Sequence, residues 1–384
     1  MGGALFGQGL NFLAMLLPIV GGETGQLAYL MLPLALATVL SRTSILGFHS
    51  RYLTVPGERT RTATAVSAAS LSVTTLLCLL VGATAAPVRD VALWTGLLVV
   101  TNGLYLMAVA VATREQRMDV YSTARLAFGV TNIVITSLVV FVVPFQAGLI
   151  VAAAANPLVG TVLILARTQN RILPPTVSDL PRMLNREHRF YLAGAGRATG
   201  ATFLSECGFQ IQGFITPFLG QYQEIWAVVV RLTGGFGTLA QQVIAPGLEA
   251  RIAAAIRNGD AATTARWCRM CAIGGLVLGV LCAAIQAGAL LFALHDDEAL
   301  TVGVLALTAV YCTMSLATNL SVKIPLMKGF DHAFLAWSSG RLVLLLGLLL
   351  TSGTALLTGT VVVQTLASVA FLCVALRPVR GEAR

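Results

Sequence analysis

Long apolar runs, separated by short polar segments, follow one another from the first residues of the chain almost to the last. Each run spans about 18 residues or more between charged residues, prolines or glycines, which is the pattern of a helix that crosses a bilayer. The runs are therefore predicted to be membrane spans. Twelve are predicted, at residues 2–20, 27–49, 62–83, 90–112, 119–143, 146–167, 191–218, 222–249, 266–293, 299–322, 333–355 and 360–377.

The positive charges between the spans are distributed unevenly. Short cytoplasmic loops are enriched in Lys and Arg, and alternate connections, together with the C-terminal tail, hold 19 of the 25 Lys and Arg residues. The other connections hold a single cation, Arg89, beside acidic residues such as Glu23, Asp90 and Glu224. This alternation supports an even number of spans and predicts that both termini lie in the cytoplasm.

Composition narrows the class of protein further. The 384 residues are 57% hydrophobic and only 11% charged, whereas an ordinary soluble domain has about 25% charged residues. A soluble enzyme is therefore excluded, and the net charge of +9 does not indicate nucleic-acid binding, because no soluble face exists to carry a basic patch. Cys268 and Cys271 have metal-ligand spacing but no second pair, so neither a metal nor a cofactor is predicted.

The predicted spans divide into two sets of six. The longest connection, 168–190, is rich in proline and charge and predicts a cytoplasmic linker between an N-terminal six-helix bundle, 1–167, and a C-terminal one, 191–384. At an offset of 200 residues, the segment 47–51 and the segment 247–251 both show the pattern G-x-x-x-R. Transporters commonly arise from such internal repeats. The predicted fold is an all-α integral membrane protein with about twelve transmembrane helices in two bundles.

Some cations fall inside the predicted spans. A charge at the centre of a bilayer costs about 2.5–3.5 kcal/mol on insertion scales, so each needs a partner, an aqueous cavity or a route to the surface. One interpretation is a cationic layer that lines an inward-facing cavity and binds a dianionic group such as pyrophosphate. The other is that each arginine extends independently to the membrane surface. The residues are Arg42, Arg125, Arg197, Arg231 and Arg341.

Glu206 is the one acidic residue near the middle of a predicted span. Counting from the turn at Gly220, it lies at a depth within about one helical turn of Arg231, so the two are expected to pair, either as a structural ion pair or as a protonatable coupling site. Uncharged polar residues in the same spans are candidates for the cavity wall or for hydrogen bonds between helices. These residues are Gln8, Asn11, Gln210, Gln241 and Gln242.

The second half carries a series of short motifs that resembles a known family. They are Phe203-Leu204-Ser205, Gly213-Phe214-Ile215 to Leu219-Gly220, Ile225-Trp226-Ala227 to Arg231-Leu232, Ile244-Ala245-Pro246 to Glu249-Ala250-Arg251, and Gly259-Asp260. Between Phe190 and Asp260 the chain is similar to polysaccharide biosynthesis flippases, the Wzx-like members of the MOP superfamily. It departs from their pattern at Val229, where the family has alanine, and it opens almost directly in its first span, without a basic cytoplasmic segment.

The resemblance implies a MATE-like, two-bundle protein of the bacterial cytoplasmic (inner) membrane that is not an enzyme. It implies that the protein flips a polyprenyl-pyrophosphate-linked oligosaccharide to the periplasmic leaflet by alternating access, for a cell-surface polysaccharide such as lipopolysaccharide. The expected partners are the lipid-linked oligosaccharide, membrane lipids and other polysaccharide assembly proteins. On this hypothesis Arg42, Arg231 and Arg341 contact the head group, Arg125 and Arg197 support them, and Glu206 is the coupling residue.

Two alternatives remain open. A related MATE-like exporter of small molecules would share the two halves, but it is expected to carry an acidic cation-binding residue in its first bundle, and the first six predicted spans contain no deep acid. A membrane enzyme of lipid-linked glycan assembly is expected to need a large outward loop for its chemistry, and every predicted outward connection is short.

Overall fold

Helices account for all the regular secondary structure in the part of the chain that the computed structural model describes. The described residues are 2–48, 52, 60–115, 117–168, 199–200, 203–204, 206–322, 324–328 and 330–378. Eight helices among them are long and apolar enough to cross a membrane, and shorter apolar helices occur at Phe6–Val20 and His332–Leu348. The predicted all-α membrane fold is confirmed.

The described residues form two compact units, Met1–Phe214 and Ile215–Arg384. The predicted linker, 168–190, falls outside the described residues except for Thr168, so its role as the domain boundary stays a prediction. The first unit contains α1 (Gly2–Val20), α2 (Thr24–Ser44), α3 (Thr60–Thr84), α4 (Arg89–Arg114), α5 (Met118–Phe141), α6 (Gly148–Arg167) and α7 (206–215).

The second unit begins with a helix that changes its winding. A π-helical segment, Ala240–Ile244, joins α8 (Gln223–Leu239) to α9 (Ala245–Arg257), and segments of this kind are rare and frequently occur at functional sites. The remaining long helices of this unit are α10 (Ala261–Ala293), α11 (Val302–Ala317), α12 (Asp331–Leu348) and α13 (Gly353–Ala375), and short helical turns lie at Asn319–Ser321 and Ile324–Met327.

Several predicted span ends were wrong. Helix α2 ends at Ser44 and not at residue 49, because Leu46 and Gly47 adopt left-handed backbone conformations with φ of 53° and 69°. The predicted break near Gly359 lies inside α13, and the chain instead leaves the helix at 349–352. Asp260 begins α10 five residues earlier than predicted, because its carboxylate accepts a hydrogen bond from the Thr263 amide at 2.9 Å.

Helices α1 and α5 pack through glycines that face each other. A Cβ atom on Gly7 would overlap the carbonyl group of Arg125, and one on Gly129 would lie 3.0 Å from the Gly7 carbonyl carbon. Because lipid chains are as apolar as the side chains they touch, burying apolar side chains between helices gains little in a membrane. Close backbone approach between small residues is therefore a main source of stability for helix pairs there. The glycine at position 7 is therefore required by packing.

We predict that Gly7→Ala destabilises the protein by about 1–3 kcal/mol, because the added methyl group forces the two backbones apart. The matched control is Gly9→Ala on the same helix, where a Cβ atom would meet no atom within 4 Å. The thermal unfolding midpoint in detergent, followed by size-exclusion chromatography, measures the difference. Equal midpoints for the two variants would contradict the packing argument.

Candidate functional site

An ion pair joins α2 to α7 in the first unit. Arg42 lies in the last turn of α2, and its guanidinium forms an ion pair with the carboxylate of Glu206. The side chain of Arg42 is 44% exposed, whereas that of Glu206 is only 11% exposed. Arg42 is thus accessible from outside the protein, while its carboxylate partner is largely enclosed.

This ion pair corrects the predicted pairing of Glu206 with Arg231. Helix α7 belongs to the first unit and packs against α2, where a Cβ atom on Gly213 would overlap the Cβ of Ala35. Glu206 stands seven residues before Gly213 on the same helix, which is about two helical turns. The packing of α7 on α2 therefore brings Glu206 to Arg42.

Asparagine side chains connect α1, α5 and α6 inside the first unit. The Asn132 amide donates to the Oδ1 atom of Asn11, and Asn132 Oδ1 accepts from Asn156 Nδ2 at 2.7 Å and from the Thr136 hydroxyl at 3.3 Å. Asn132 and Asn156 are 4% and 3% exposed. Hydrogen bonds between buried amides join membrane helices, so this network fixes the three helices and does so without a charge.

Arg125 on α5 is surrounded by aromatic rings. Its Nε atom donates to the Tyr121 hydroxyl at 3.0 Å, and its guanidinium carbon lies 5.5 Å from the Tyr121 ring centre and 5.9 Å from that of Tyr105 on α4. A guanidinium is attracted to the face of an aromatic ring at such distances. These contacts hold the Arg125 side chain without a carboxylate partner among the described residues.

The second unit holds two arginines near the middle of its helices. Arg231 lies eight residues after the start of α8, about 12 Å along the axis. Among the described residues, its buried Nε atom has no hydrogen-bond partner and no carboxylate lies within salt-bridge distance of it. A charged group buried in this way is strongly unfavourable unless an anion or water reaches it.

Arg341 on α12 is 8% exposed and lies against an aromatic wall. Its guanidinium carbon is 5.7 Å from the Trp337 ring centre, and Trp337 is itself fixed by a hydrogen bond from its indole Nε1 to the Ala367 carbonyl oxygen at 2.7 Å. On α11 of the same unit, the Tyr311 ring packs against that of Trp226, with the ring centres 4.6 Å apart. The fixed Trp337 ring positions the arginine.

The other predicted polar residues are placed as follows. Gln8 is buried, with 7% of its surface exposed, and Gln210 is half-buried on α7. Gln241, at the π-helical segment, donates to Asn319 Oδ1 at 2.9 Å and so joins that segment to the short helix after α11. Arg197 and the side chain of Gln242 lie outside the described residues.

Sequence reasoning missed Asn132, Asn156 and Tyr105. A deep asparagine in an otherwise apolar run was a usable signal at both positions, and Asn156 also precedes Pro157. Tyr105 gave no such signal, because a tyrosine in a span is ordinary and its burial depends on Gly160 of α6, where a Cβ atom would lie 2.6 Å from its ring.

Comparison with solved structures identifies a fold of the MATE type. An inward-facing multidrug resistance MATE transporter of the MOP superfamily matches with a TM-score of 0.63 and 15% identity, over 96% of this chain and 93% of that one. The lipid II flippase MurJ in an inward closed conformation matches with a TM-score of 0.57 and 13% identity, over 97% of this chain and 86% of that one. A mutant of the Vibrio cholerae MATE transporter VcmN matches with a TM-score of 0.52 and 14% identity, over 97% of this chain and 94% of that one.

No family model and no curated protein sequence matches the chain. The likeness therefore rests on three-dimensional structure and concerns the fold, which multidrug transporters and a lipid flippase share. The residues of the site must distinguish between those functions.

The ion pair of the first unit predicts the outcome of a charge swap. Arg42→Glu and Glu206→Arg alone each leave two like charges together, and each should lower the thermal unfolding midpoint. The double variant should recover most of the loss, with a coupling of about 1 kcal/mol because one partner is exposed. The control is the same swap between Glu206 and Arg231, whose double variant should recover none of the lost thermal stability. If the midpoint recovered in this control and not in the Arg42–Glu206 double variant, the observed ion pair would be contradicted.

Proposed function

We propose that this protein is a membrane transporter of the MOP type that flips a polyprenyl-pyrophosphate-linked oligosaccharide from the cytoplasmic to the periplasmic leaflet by alternating access. The fold supports a transporter, since both multidrug MATE transporters and the lipid II flippase MurJ are built on it. The fold alone favours neither of these two classes. The charges inside the helices favour a flippase of an anionic lipid.

The observation that carries the proposal is the state of Arg231. In the part of the chain that the structure describes, its buried Nε atom has no hydrogen-bond partner and its guanidinium has no carboxylate partner. A charge in this position raises the free energy of the empty protein. An anionic substrate would supply the missing counter-charge, and the guanidinium fork matches the geometry of phosphate oxygens. Arg341, buried against Trp337 in the same unit, supplies a second cation.

The distribution of acidic residues disfavours an exporter of cationic drugs. In the first six helices the acidic residues, Asp90 and Asp119, lie in the first turns of α4 and α5 and not at depth. The deeper Glu206 is neutralised by Arg42. The amides of Asn11, Asn132 and Asn156 are uncharged, so the described helices of the first unit offer a cation no unneutralised carboxylate at depth.

The proposed substrate is anchored in the membrane by its polyprenyl chain, so only its head group and glycan have to enter the protein. On our proposal the pyrophosphate binds Arg231 and Arg341, the glycan lies in an aqueous cavity, and the polyprenyl chain stays in the bilayer. Alternating access then exposes the arginines to one leaflet at a time. Arg42, which is exposed on α2, is proposed as a further contact for the head group.

We predict that Arg231→Gln lowers flipping about tenfold or more, because a hydrogen bond to a charged group contributes about 1.5–3 kcal/mol. The fraction of polyprenyl-pyrophosphate-linked glycan left in the cytoplasmic leaflet of a complemented deletion strain measures this. The thermal unfolding midpoint of the purified variant should stay the same or rise, since an uncompensated buried charge has been removed.

Arg266→Gln, at an exposed position of α10, is the matched control and should flip at the rate of the unchanged protein. If Arg231→Gln also flipped at that rate, the arginine would not bind the substrate. If it instead lost most of its thermal stability, Arg231 would have a structural role. Either result would overturn the proposal.

A further inference from the structure

The surroundings of Arg125 leave its two terminal nitrogens available. The Nε atom donates to the Tyr121 hydroxyl at 3.0 Å, and the guanidinium plane is held beside the rings of Tyr121 and Tyr105. The Nη1 and Nη2 atoms donate to no residue that the structure describes. The side chain is thus fixed by one nitrogen and the ring faces, while its fork of donors is unused.

Tyr105 has an unused polar group beside this fork. The residue is 7% exposed, and its hydroxyl oxygen is buried with no hydrogen-bond partner among the described residues. The guanidinium carbon of Arg125 lies 5.9 Å from the centre of the ring that bears this hydroxyl. Buried hydroxyl groups are almost always hydrogen-bonded in native proteins, so an orphan one needs an explanation.

Packing holds the Tyr105 ring in place. The Phe128 ring lies 5.5 Å from it, centre to centre, at an interplanar angle of 42°. On α6, the absence of a side chain at Gly160 leaves the space that the Tyr105 ring occupies, because a Cβ atom there would lie 2.6 Å from Tyr105 Cε2. Residues of α4, α5 and α6 together therefore fix the direction of the hydroxyl, and the Tyr105 side chain does not turn freely toward water.

We propose that Tyr105 and Arg125, supported by Tyr121, form an oxyanion-binding site inside the first unit. A phenol hydroxyl and a guanidinium fork are both donors, and a phosphate or carboxylate oxygen accepts from both at once. A water molecule would satisfy the hydroxyl but would leave the charge of Arg125 without an anion.

The inference rests on the proposed function in one respect, since the oxyanion belongs to the lipid-linked substrate. Two parts of such a substrate carry the right chemistry: a phosphate of the head group, or the carboxylate of an acidic sugar in the glycan. The site binds either through the same three donors. Recognition of a carboxylate would make this the position at which the protein selects its glycan, whereas recognition of phosphate would make it a second contact for the head group.

The test uses the full-length protein in detergent and two probes, inorganic phosphate and glucuronate, each titrated against chloride at constant ionic strength. It is carried out in a background with both Arg231→Gln and Arg341→Gln, so that the two arginines of the second unit do not contribute. The thermal unfolding midpoint reports binding, because a ligand that binds only the folded state stabilises it. At least one probe should raise the midpoint, and the probe that does so identifies the source of the oxyanion.

Adding Tyr105→Phe should weaken that binding about tenfold, the loss expected for one hydrogen bond to a charged ligand, and Arg125→Gln should abolish it. The control, Tyr29→Phe on α2, makes the same chemical change elsewhere and should leave the affinity unchanged. Without any probe, Tyr105→Phe should leave the midpoint unchanged or raise it, because the lost hydroxyl has no partner to lose.

Two results would overturn the site: no effect of either probe, or an equal affinity in the Tyr105→Phe and Tyr29→Phe variants. A lower midpoint for Tyr105→Phe in the absence of probe would also contradict it, since that indicates a structural hydrogen bond. The proposed function is tested separately. If Arg231→Gln flips normally, the proposed function fails, while the oxyanion site is judged by the phosphate and glucuronate titrations alone.

Discussion

A guanidinium group inside a bilayer must find an anion, water or an aromatic face, because the hydrocarbon offers it nothing. The two units of this protein meet that requirement differently. In the first unit Arg42 is neutralised by Glu206, and amides rather than charges join α1, α5 and α6. In the second unit the buried Nε atom of Arg231 has no hydrogen-bond partner among the described residues. An anionic substrate would supply the counter-charge that Arg231 lacks there.

Close helix packing makes these polar contacts specific. Gly7 and Gly129 let α1 approach α5 at backbone distance, and Gly213 does the same for α7 on α2. Each approach sets the position of a polar group: the first keeps Asn11 within reach of Asn132, and the second brings Glu206 to Arg42. Small residues and polar residues therefore act together, the former by bringing helices close and the latter by fixing their register.

Much of the helical architecture was predictable, because the length of an apolar run and the charge that flanks it are local properties of the sequence. The helix ends were less predictable, since the end of α2 depends on left-handed conformations at Leu46 and Gly47. The partner of Glu206 was predicted wrongly because it depends on which helix α7 packs against. Tyr105 could not be identified at all, because its orphan hydroxyl results from the packing of three helices.

The proposed transport depends on the binding of a pyrophosphate by Arg231 of the second unit. An experimental structure of the protein in nanodiscs loaded with polyprenyl pyrophosphate would show whether this binding occurs. We expect phosphate density within about 3 Å of the Arg231 guanidinium, the usual hydrogen-bond distance, with the isoprenoid chain extending into the bilayer. Density for the lipid elsewhere, with Arg231 paired to a carboxylate of the protein itself, would mean that Arg231 does not bind the substrate.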